Sequence, residues 1–332
     1  MARFMDEFGL RVPASTSNLG PKFDTFGLAL PLYLSLKARR LTTGNDEFVF
    51  SGVDLDGEPA DNENLFLRAY NRGLAAFASP ADRKFGYRFE INNSIPFRRG
   101  LGSSGACVIA ALLASVLVSG NLPPTDEQLL TLALEIEGHA DNITPALLGG
   151  FTISLLVGED FYCRQYPVLP ALQALVIIPE FRLSTEESRK ILPATVSLTA
   201  AQKNIARAAL LLTALLFGDL TVLRPAVDDC LHQPYRQKLL PFFAPMVEIS
   251  YRHGSLATFL SGSGSAFVCL VQENGRRLGE ILCRHLKDDF AINGEYRLMT
   301  PDSRGALLKI PGDVFVPWKT GRVWLSGKIW PE

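Results

Sequence analysis

The stretch Ser94-Ile-Pro-Phe-Arg-Arg-Gly-Leu-Gly-Ser-Ser-Gly-Ala106, running on into Cys107-Val-Ile-Ala-Ala-Leu-Leu-Ala-Ser-Val-Leu-Val-Ser119, decides how the rest of this 332-residue chain is read. Gly100 and Gly102 let the backbone turn tightly and approach an anion, and Gly105 does the same at the mouth of the next segment. Ser103 and Ser104 fall where a helix starts, so their hydroxyls and the unpaired N–H groups of the first turn can face phosphate oxygens. From Ala106 the residues are apolar almost without a break, which predicts a helix buried on every side. About 16 residues from Ser104 to Ser119 fall short of the roughly 20 that a membrane span needs. Read by itself, the glycine run is also compatible with a plain strand-to-helix turn. It carries neither the Gly-Lys-Ser/Thr of a P-loop nor the spacing of a dinucleotide fingerprint.

With 47% hydrophobic and 20% charged residues, the chain has material for two packed domains. A net charge of −1 gives no general attraction to nucleic acid or to an acidic membrane, so anion handling must be local. No basic segment precedes an apolar core at the N-terminus and no run is clean enough to span, so a cytoplasmic protein with neither a membrane nor a nucleic-acid partner is expected. Five scattered cysteines without a Cys-x-x-Cys pair argue against a disulfide scaffold or a zinc site. Cys107, inside the apolar helix, reads as a small buried hydrophobe, and His253 and His285 as surface residues.

Pro96 to Ser104, Pro-(x)3-Gly-Leu-Gly-Ser-Ser, resembles the ATP-binding signature of the GHMP small-molecule kinases. Other segments extend the likeness. Ala14-Ser-Thr-Ser-Asn-Leu-Gly-Pro-Lys-Phe-Asp24 reads alone as a polar loop between strands. It resembles the first motif of homoserine kinases, Pro-Ala-Thr-Ser-Ala-Asn-Leu-Gly-Pro-Gly-Phe-Asp, which implies that Asn18 and Asp24 contact substrate. Lys22 stands where that motif has glycine, and its amine could reach a phosphate or water. Asp61 to Leu74 has capping residues and helical spacing, and the resemblance makes Asn64 an ATP contact. A strand is predicted at 87–92 and a helix from Asp126 to about Gly138. Beyond it, Glu137-Gly-His-Ala-Asp-Asn-Ile-Thr-Pro-Ala reads as a helix cap and a polar connection. The string resembles Glu-Gly-His-Pro-Asp-Asn-Val-Ala-Pro-Ala of homoserine kinases, implying Glu137 with Ser104 on Mg²⁺, and His139, Asp141 and Asn142 in the amino-acid pocket.

A Pro-rich step around Tyr166 to Ala171 marks passage to a second domain. Ser184 three residues before Glu187 is a capping box; the surrounding Ser-Thr-x-x-x-Arg-x-x-Leu-Pro resembles the same family and brings in Thr185 and Arg189. The helix at 198–216 has apolar spacing and reads as packing, despite Asn204 and Arg207. Asp229-Cys-Leu-His-Gln-Pro-Tyr-Arg236 is nearly the family's Asp-x-x-His-Gln-Pro-Tyr-Arg, where the arginine takes the substrate carboxylate, a partner its planar fork suits. Leu260-Ser-Gly-Ser-Gly-Ser-Ala-Phe267 is similar to the superfamily's Leu-Ser-Gly-Ala-Gly-Pro loop, with Ser263 and Ser265 replacing Ala and Pro.

Taken together, the resemblance covers about residues 10–306 and implies an α+β, two-domain GHMP kinase fold. An N-terminal ATP-binding domain like ribosomal protein S5 domain 2 (1–168) would meet a ferredoxin-like C-terminal domain (169–306) across the active-site cleft. It also implies a possible homodimer. Residues 307–332, with Trp318, Trp324 and Trp330, lie beyond it and are expected to pack on the body or on a subunit partner. The implied reaction moves the γ-phosphoryl group of MgATP to the hydroxyl of L-homoserine. Pro96, Arg98, Gly100, Leu101, Gly102, Ser103, Ser104 and Gly105 would hold the nucleotide. Asn142 and Arg189 would serve the chemistry, and Asn18, Asp24, His139, Asp141, Thr185, Arg189 and Arg236 the substrate. Two alternatives stand beside it: a GHMP kinase for another hydroxylated acid, and a non-catalytic nucleotide or amino-acid sensor.

Overall fold

The computed structural model describes residues 5–42, 44–53, 64–78, 85–158, 160–310 and 313–319. The first half of the chain runs β1 (Glu7–Ser17), β2 (Phe26–Arg40), β3 (Glu47–Gly52), α1 (Leu65–Phe77), β4 (Tyr87–Asn93), α2 (Ser103–Ser119), α3 (Asp126–Glu137), α4 (Ala140–Leu148), β5 (Phe151–Val157) and β6 (Asp160–Tyr166). Strict inside-outside alternation along β4 leaves one face for a core. β2 is long enough to take two partners on one edge, β5 at Phe26–Leu28 and β4 at Leu34–Arg40. The expected helix α2 is buried along nearly its whole length, enclosed by β1, α1, α3 and α4.

The second half runs β7 (Gln173–Pro179), α5 (Thr185–Lys190), α6 (Leu198–Phe217), α7 (Leu223–Ala226), α8 (Gln233–Arg236), α9 (Phe243–Arg252), β8 (Ala257–Leu260), β9 (Phe267–Val271), α10 (Gly275–Phe290) and β10 (Gly294–Met299). Its antiparallel strands lie in the order β10-β7-β9-β8, the ferredoxin-like arrangement, with helices in the first and last connections. The two-domain α+β GHMP kinase fold is therefore the one the sequence led us to expect. No helix among the described residues is long and apolar enough to cross a membrane.

Four points change or extend these readings. The segment after Gly138 is helix α4, not a polar connection, although Pro145 lies inside it. Proline removes the N–H that would meet the Asp141 carbonyl, and the β2 backbone crowds that carbonyl instead: a Cβ on Gly27 would come within 2.1 Å of it. β6 was not anticipated, because its mixed polar run carries no core pattern. α6 packs as expected through Leu211 and Ala214 in the core, but Leu198, Ile205 and Phe217 are exposed and the polar Asn204 is buried, donating to Pro21 O and Asp229 Oδ1. Last, the chain beyond Ala306 returns to the first sheet. β11 (Leu307–Ile310) pairs with β1, β12 (Val314–Pro317) pairs with β11, and Trp318 is buried in the larger hydrophobic core. Trp324 and Trp330 lie outside the described residues.

Candidate active site

An open cleft lies where the β1–β2 loop, the glycine loop before α2, the start of α4, and α5 and α8 converge. At one end is the glycine loop. Gly100 and Gly102 have φ of 75° and 67°, and neither site has room for a side chain. A Cβ would come within 2.0 Å of Ser261 O at Gly100, and 2.1 Å of Ser15 Oγ at Gly102. Position and conformation both demand glycine. The second glycine loop braces the first: the Ser261 hydroxyl donates to Gly100 O at 2.7 Å, and Ala266 N–H donates to Arg99 O at 3.0 Å. Gly102 is the N-cap of α2 and supplies no side-chain cap, so the first turn's N–H groups are available to an anion.

Beside this helix start, the Ser104 hydroxyl donates to the Glu137 carboxylate, which burial pushes above its ordinary range. Ser104 offsets only part of that shift. A desolvated carboxylate next to a hydroxyl oxygen is the donor set of a hard divalent cation that also takes phosphate oxygens, so these two side chains fit Mg²⁺ carried in with a nucleotide. Among the described residues no group of three or more His, Cys, Asp or Glu side chains gathers to hold a metal unaided.

The middle of the cleft is the start of α4. His139 is its N-cap, and burial, followed by the nearby Arg189, holds its imidazole below the ordinary value and thus neutral. Asp141 is buried and pushed up to about 7, first by desolvation and then by the Asp24 charge. The Asn142 amide is fixed at both ends, its Oδ1 accepting from Ser15 Oγ at 2.9 Å and its Nδ2 donating to Asp141 Oδ1 at 3.1 Å.

The cleft also carries two guanidinium groups in different states. Arg189 Nη2 donates to both oxygens of Asp24, at 2.7 and 2.9 Å. Arg236 is 2% exposed and meets no carboxylate among the described residues: Nη1 donates to Gly262 O at 2.9 Å and to His232 Nδ1 at 3.2 Å, and Nε to Ser188 O at 3.4 Å. His232 Nε2 lies 2.7 Å from Gly20 O, which can only accept, so Nε2 carries the proton and Nδ1 is free to receive Arg236. Burial pushes His232 down to about 4, keeping it neutral. The Phe23 ring centroid is 5.3 Å from each guanidinium carbon. Asp229 sets up this corner from behind by accepting the N–H groups of Leu231, His232 and Gln233.

Of the residues singled out in the sequence, Asn18, Asp24, Pro96, Arg98, Gly100, Leu101, Gly102, Ser103, Ser104, Glu137, His139, Asp141, Asn142, Thr185, Arg189 and Arg236 line this one cleft. Asn64 does not; it is the buried N-cap of α1, accepting from Phe66 N–H at 2.9 Å. Gly105 faces α4, where a Cβ would come within 3.0 Å of Asn142 Cβ. Asn18 ties its loop to the second glycine loop, donating to Gly262 O at 3.1 Å and accepting from Asp24 N–H at 2.9 Å. Lys22 does not line the cleft: its amine is buried 4.2 Å from the Phe26 ring centre, and desolvation holds it well below the ordinary lysine value. Ser15, Ser17, Phe23, His232 and Asp229 were not assigned roles from sequence. All five stand within motifs quoted there, but small hydroxyls and a ring stacked behind arginines leave no spacing signal.

Comparison with known proteins agrees with this geometry. Residues 64–150 match the GHMP kinase N-terminal domain family, and residues 204–288 the GHMP kinase C-terminal family. The homoserine kinase of Moorella thermoacetica is 40% identical over 271 residues, 81% of this chain and 89% of that protein. That of Halothermothrix orenii is 34% identical over 304 residues, 91% and 96% of the two chains. The crystal structure of homoserine kinase from Cytophaga hutchinsonii superposes with a TM-score of 0.82 at 24% identity, covering 93% of this chain and 99% of that one, a likeness of fold. With the glycine loop, the acidic centre and the paired arginines in one cleft, and relatives of this identity spanning nearly their full length, the chain belongs to the homoserine kinase family of the GHMP kinases.

Proposed function

We propose that this protein phosphorylates the side-chain hydroxyl of L-homoserine from ATP, giving O-phospho-L-homoserine and ADP. The observation that carries the reading is Arg236, a buried cation that meets no carboxylate among the described residues and lines the same cleft as the glycine loop. A buried unpaired charge is costly, so the site is incomplete until an anion arrives. Two carboxylates, Asp24 and Asp141, line the same cleft. Homoserine is a zwitterion with a hydroxyl two methylenes away, and this charge layout suits it.

In this reading the first turn of α2 and the glycine loop hold the triphosphate, and the homoserine carboxylate docks on Arg236 beside Arg189. The ammonium group faces Asp141 and Asp24. Asn142, locked by Ser15 and Asp141, presents its amide at the hydroxyl, while His139, Thr185 and Asn18 shape the wall. Ser104 and Glu137 would hold Mg²⁺, whose charge offsets that of the phosphates. The hydroxyl oxygen bonds to the γ-phosphorus, the bond from that phosphorus to the β,γ-bridging oxygen breaks, and the hydroxyl proton is released. Such transfer depends on alignment and charge more than on a strong base.

Removing one charge from the substrate tests the reading. Both 3-aminopropan-1-ol, without the carboxylate, and 4-hydroxybutanoate, without the ammonium group, should lose roughly 100-fold in kcat/KM relative to L-homoserine in an ADP-release assay, the scale of a charged hydrogen bond. Pantoate or mevalonate turning over as fast as homoserine would move the assignment to another GHMP substrate, and no acceptor-dependent ADP release at all would favour a sensor.

The Asp141 shift gives a pH signature. Its carboxyl must be ionised to meet an ammonium group, and in the empty enzyme it titrates at about 7. Below that point kcat/KM for homoserine should fall about tenfold per pH unit, and Asp141→Asn should flatten that limb. In stability the sign is opposite to that of a salt-bridged carboxylate. The folded state holds the proton more tightly than the unfolded chain, so Asp141 makes the empty protein less stable as pH rises from the ordinary aspartate value to about 7.

A further inference from the structure

α5 is short, and its sequence gives it nothing apolar to pack with. Thr185-Glu-Glu-Ser-Arg-Lys190 contains no apolar side chain, and Ser188 alone of these residues is buried. A helix of this length is marginal by itself, so its place in the cleft depends on the few bonds that tie it down. α5 also brings Arg189 into the neighbourhood of Arg236: each guanidinium carbon lies 5.3 Å from the Phe23 ring centroid. Like charges at one ring repel, and Arg236 is lowered to about 10 by burial and then by the Arg189 charge. The ion pair with Asp24 is part-exposed and acts on the end of a long side chain, not on the helix backbone.

Ser188 ties down the backbone. Its hydroxyl donates to Ser263 O at 3.0 Å, and its carbonyl accepts from Arg236 Nε at 3.4 Å. Ser263 belongs to the second glycine loop, which receives Arg236 Nη1 and Asn18 Nδ2 at Gly262 O and braces the first glycine loop through Ser261. One residue thus joins the helix that bears Arg189, the loop that frames the cleft, and Arg236. We propose that Ser188 is a positioning residue: by fastening α5 to the second glycine loop and to Arg236, it fixes the two guanidinium groups at the spacing that receives one carboxylate. That role rests on the homoserine reading for the identity of the ligand. Ser265 fastens the same segment a second time, its hydroxyl donating to Phe181 O just ahead of α5. The proline that the related loop carries at this position has no hydroxyl, so the serine adds a bond on the carboxylate-binding side of the cleft.

The test uses the full chain with MgATP. Ser188→Ala removes one hydroxyl and should raise the KM for L-homoserine about 3–10-fold, the scale of one hydrogen bond, with kcat within about twofold and the KM for ATP unchanged. In the same variant 3-aminopropan-1-ol, which brings no carboxylate, should change by less than about twofold in kcat/KM, a split that a general loss of structure would not produce. Ser265→Ala should move the homoserine KM in the same direction, and it carries the test if thermal unfolding shows that Ser188→Ala does not fold. Limited trypsin digestion reads the fastening without any substrate. Cleavage after Arg189 and Lys190 requires α5 to open locally, so it should quicken about 3–10-fold in either variant relative to the native chain. Unchanged cleavage, an unchanged homoserine KM, or equal losses on homoserine and the amino alcohol would each overturn the proposal. A native enzyme that ignores homoserine, while α5 still opens faster in the variants, would sink the homoserine reading and uphold the fastening.

Discussion

Glu137→Gln should lower kcat by about 10²–10³-fold, the loss typical when one preorganised charge aimed at developing transition-state charge is removed. The carboxylate stands against Ser104 at the start of α2, where the triphosphate and its cation would lie. Glutamine keeps the shape and a polar oxygen but not the charge that fixes a hard cation. The fold should not suffer. Burial already disfavours the ionised form of Glu137, so replacing it with a neutral amide removes a cost to folding. The check is steady-state kinetics across Mg²⁺ concentrations, with urea unfolding beside it. Unchanged turnover at limiting Mg²⁺ would remove Glu137 from the metal.

Arg236→Lys should weaken homoserine by about 1.5–3 kcal/mol in apparent KM, roughly 10–150-fold, and leave the KM for ATP nearly untouched. Lysine keeps the charge but cannot serve a carboxylate with two parallel N–H groups. It also cannot reproduce the three contacts that now aim the guanidinium, to Gly262 O, His232 Nδ1 and Ser188 O. The second arginine does not substitute for it, because Arg189 already spends Nη2 on Asp24. In this variant 3-aminopropan-1-ol, which has no carboxylate to lose, should be affected far less than homoserine. Equal losses on both would mean that Arg236 acts through the fold.

The parts of this protein that are read best from sequence are those in which local chemistry and tertiary role coincide. The glycine loop is one: Gly100 and Gly102 are dictated by backbone conformation and by close approach together, and both demands select the same residue. α2 is another, since a helix buried along its length must be apolar along its length. Capping at Ser184 and Glu187 is local and was legible for that reason. What sequence could not carry were pairings made across long separations. Ser15 and Asn142 are 127 positions apart, and nothing in either neighbourhood announces the hydrogen bond that orients the amide. Lys22 reads as a polar loop residue, yet the path of β2 places its amine over Phe26. Asn64 followed its motif and its capping preference equally well; the structure places it at the cap, outside the cleft. The return of β11 to β1 is likewise a matter of topology, since Leu307–Ile310 could have paired with any open edge.

The central claim, that the phosphoryl group passes from ATP to the side-chain oxygen of L-homoserine, is tested most directly by phosphorus NMR of the reaction itself. With enzyme, MgATP and L-homoserine, the account predicts that the γ-phosphate resonance is replaced, one for one with ADP, by a phosphomonoester split into a triplet by the two protons of the adjacent methylene. Inorganic phosphate as the only new resonance, or a spectrum unchanged by homoserine while mevalonate or pantoate is phosphorylated, would contradict it.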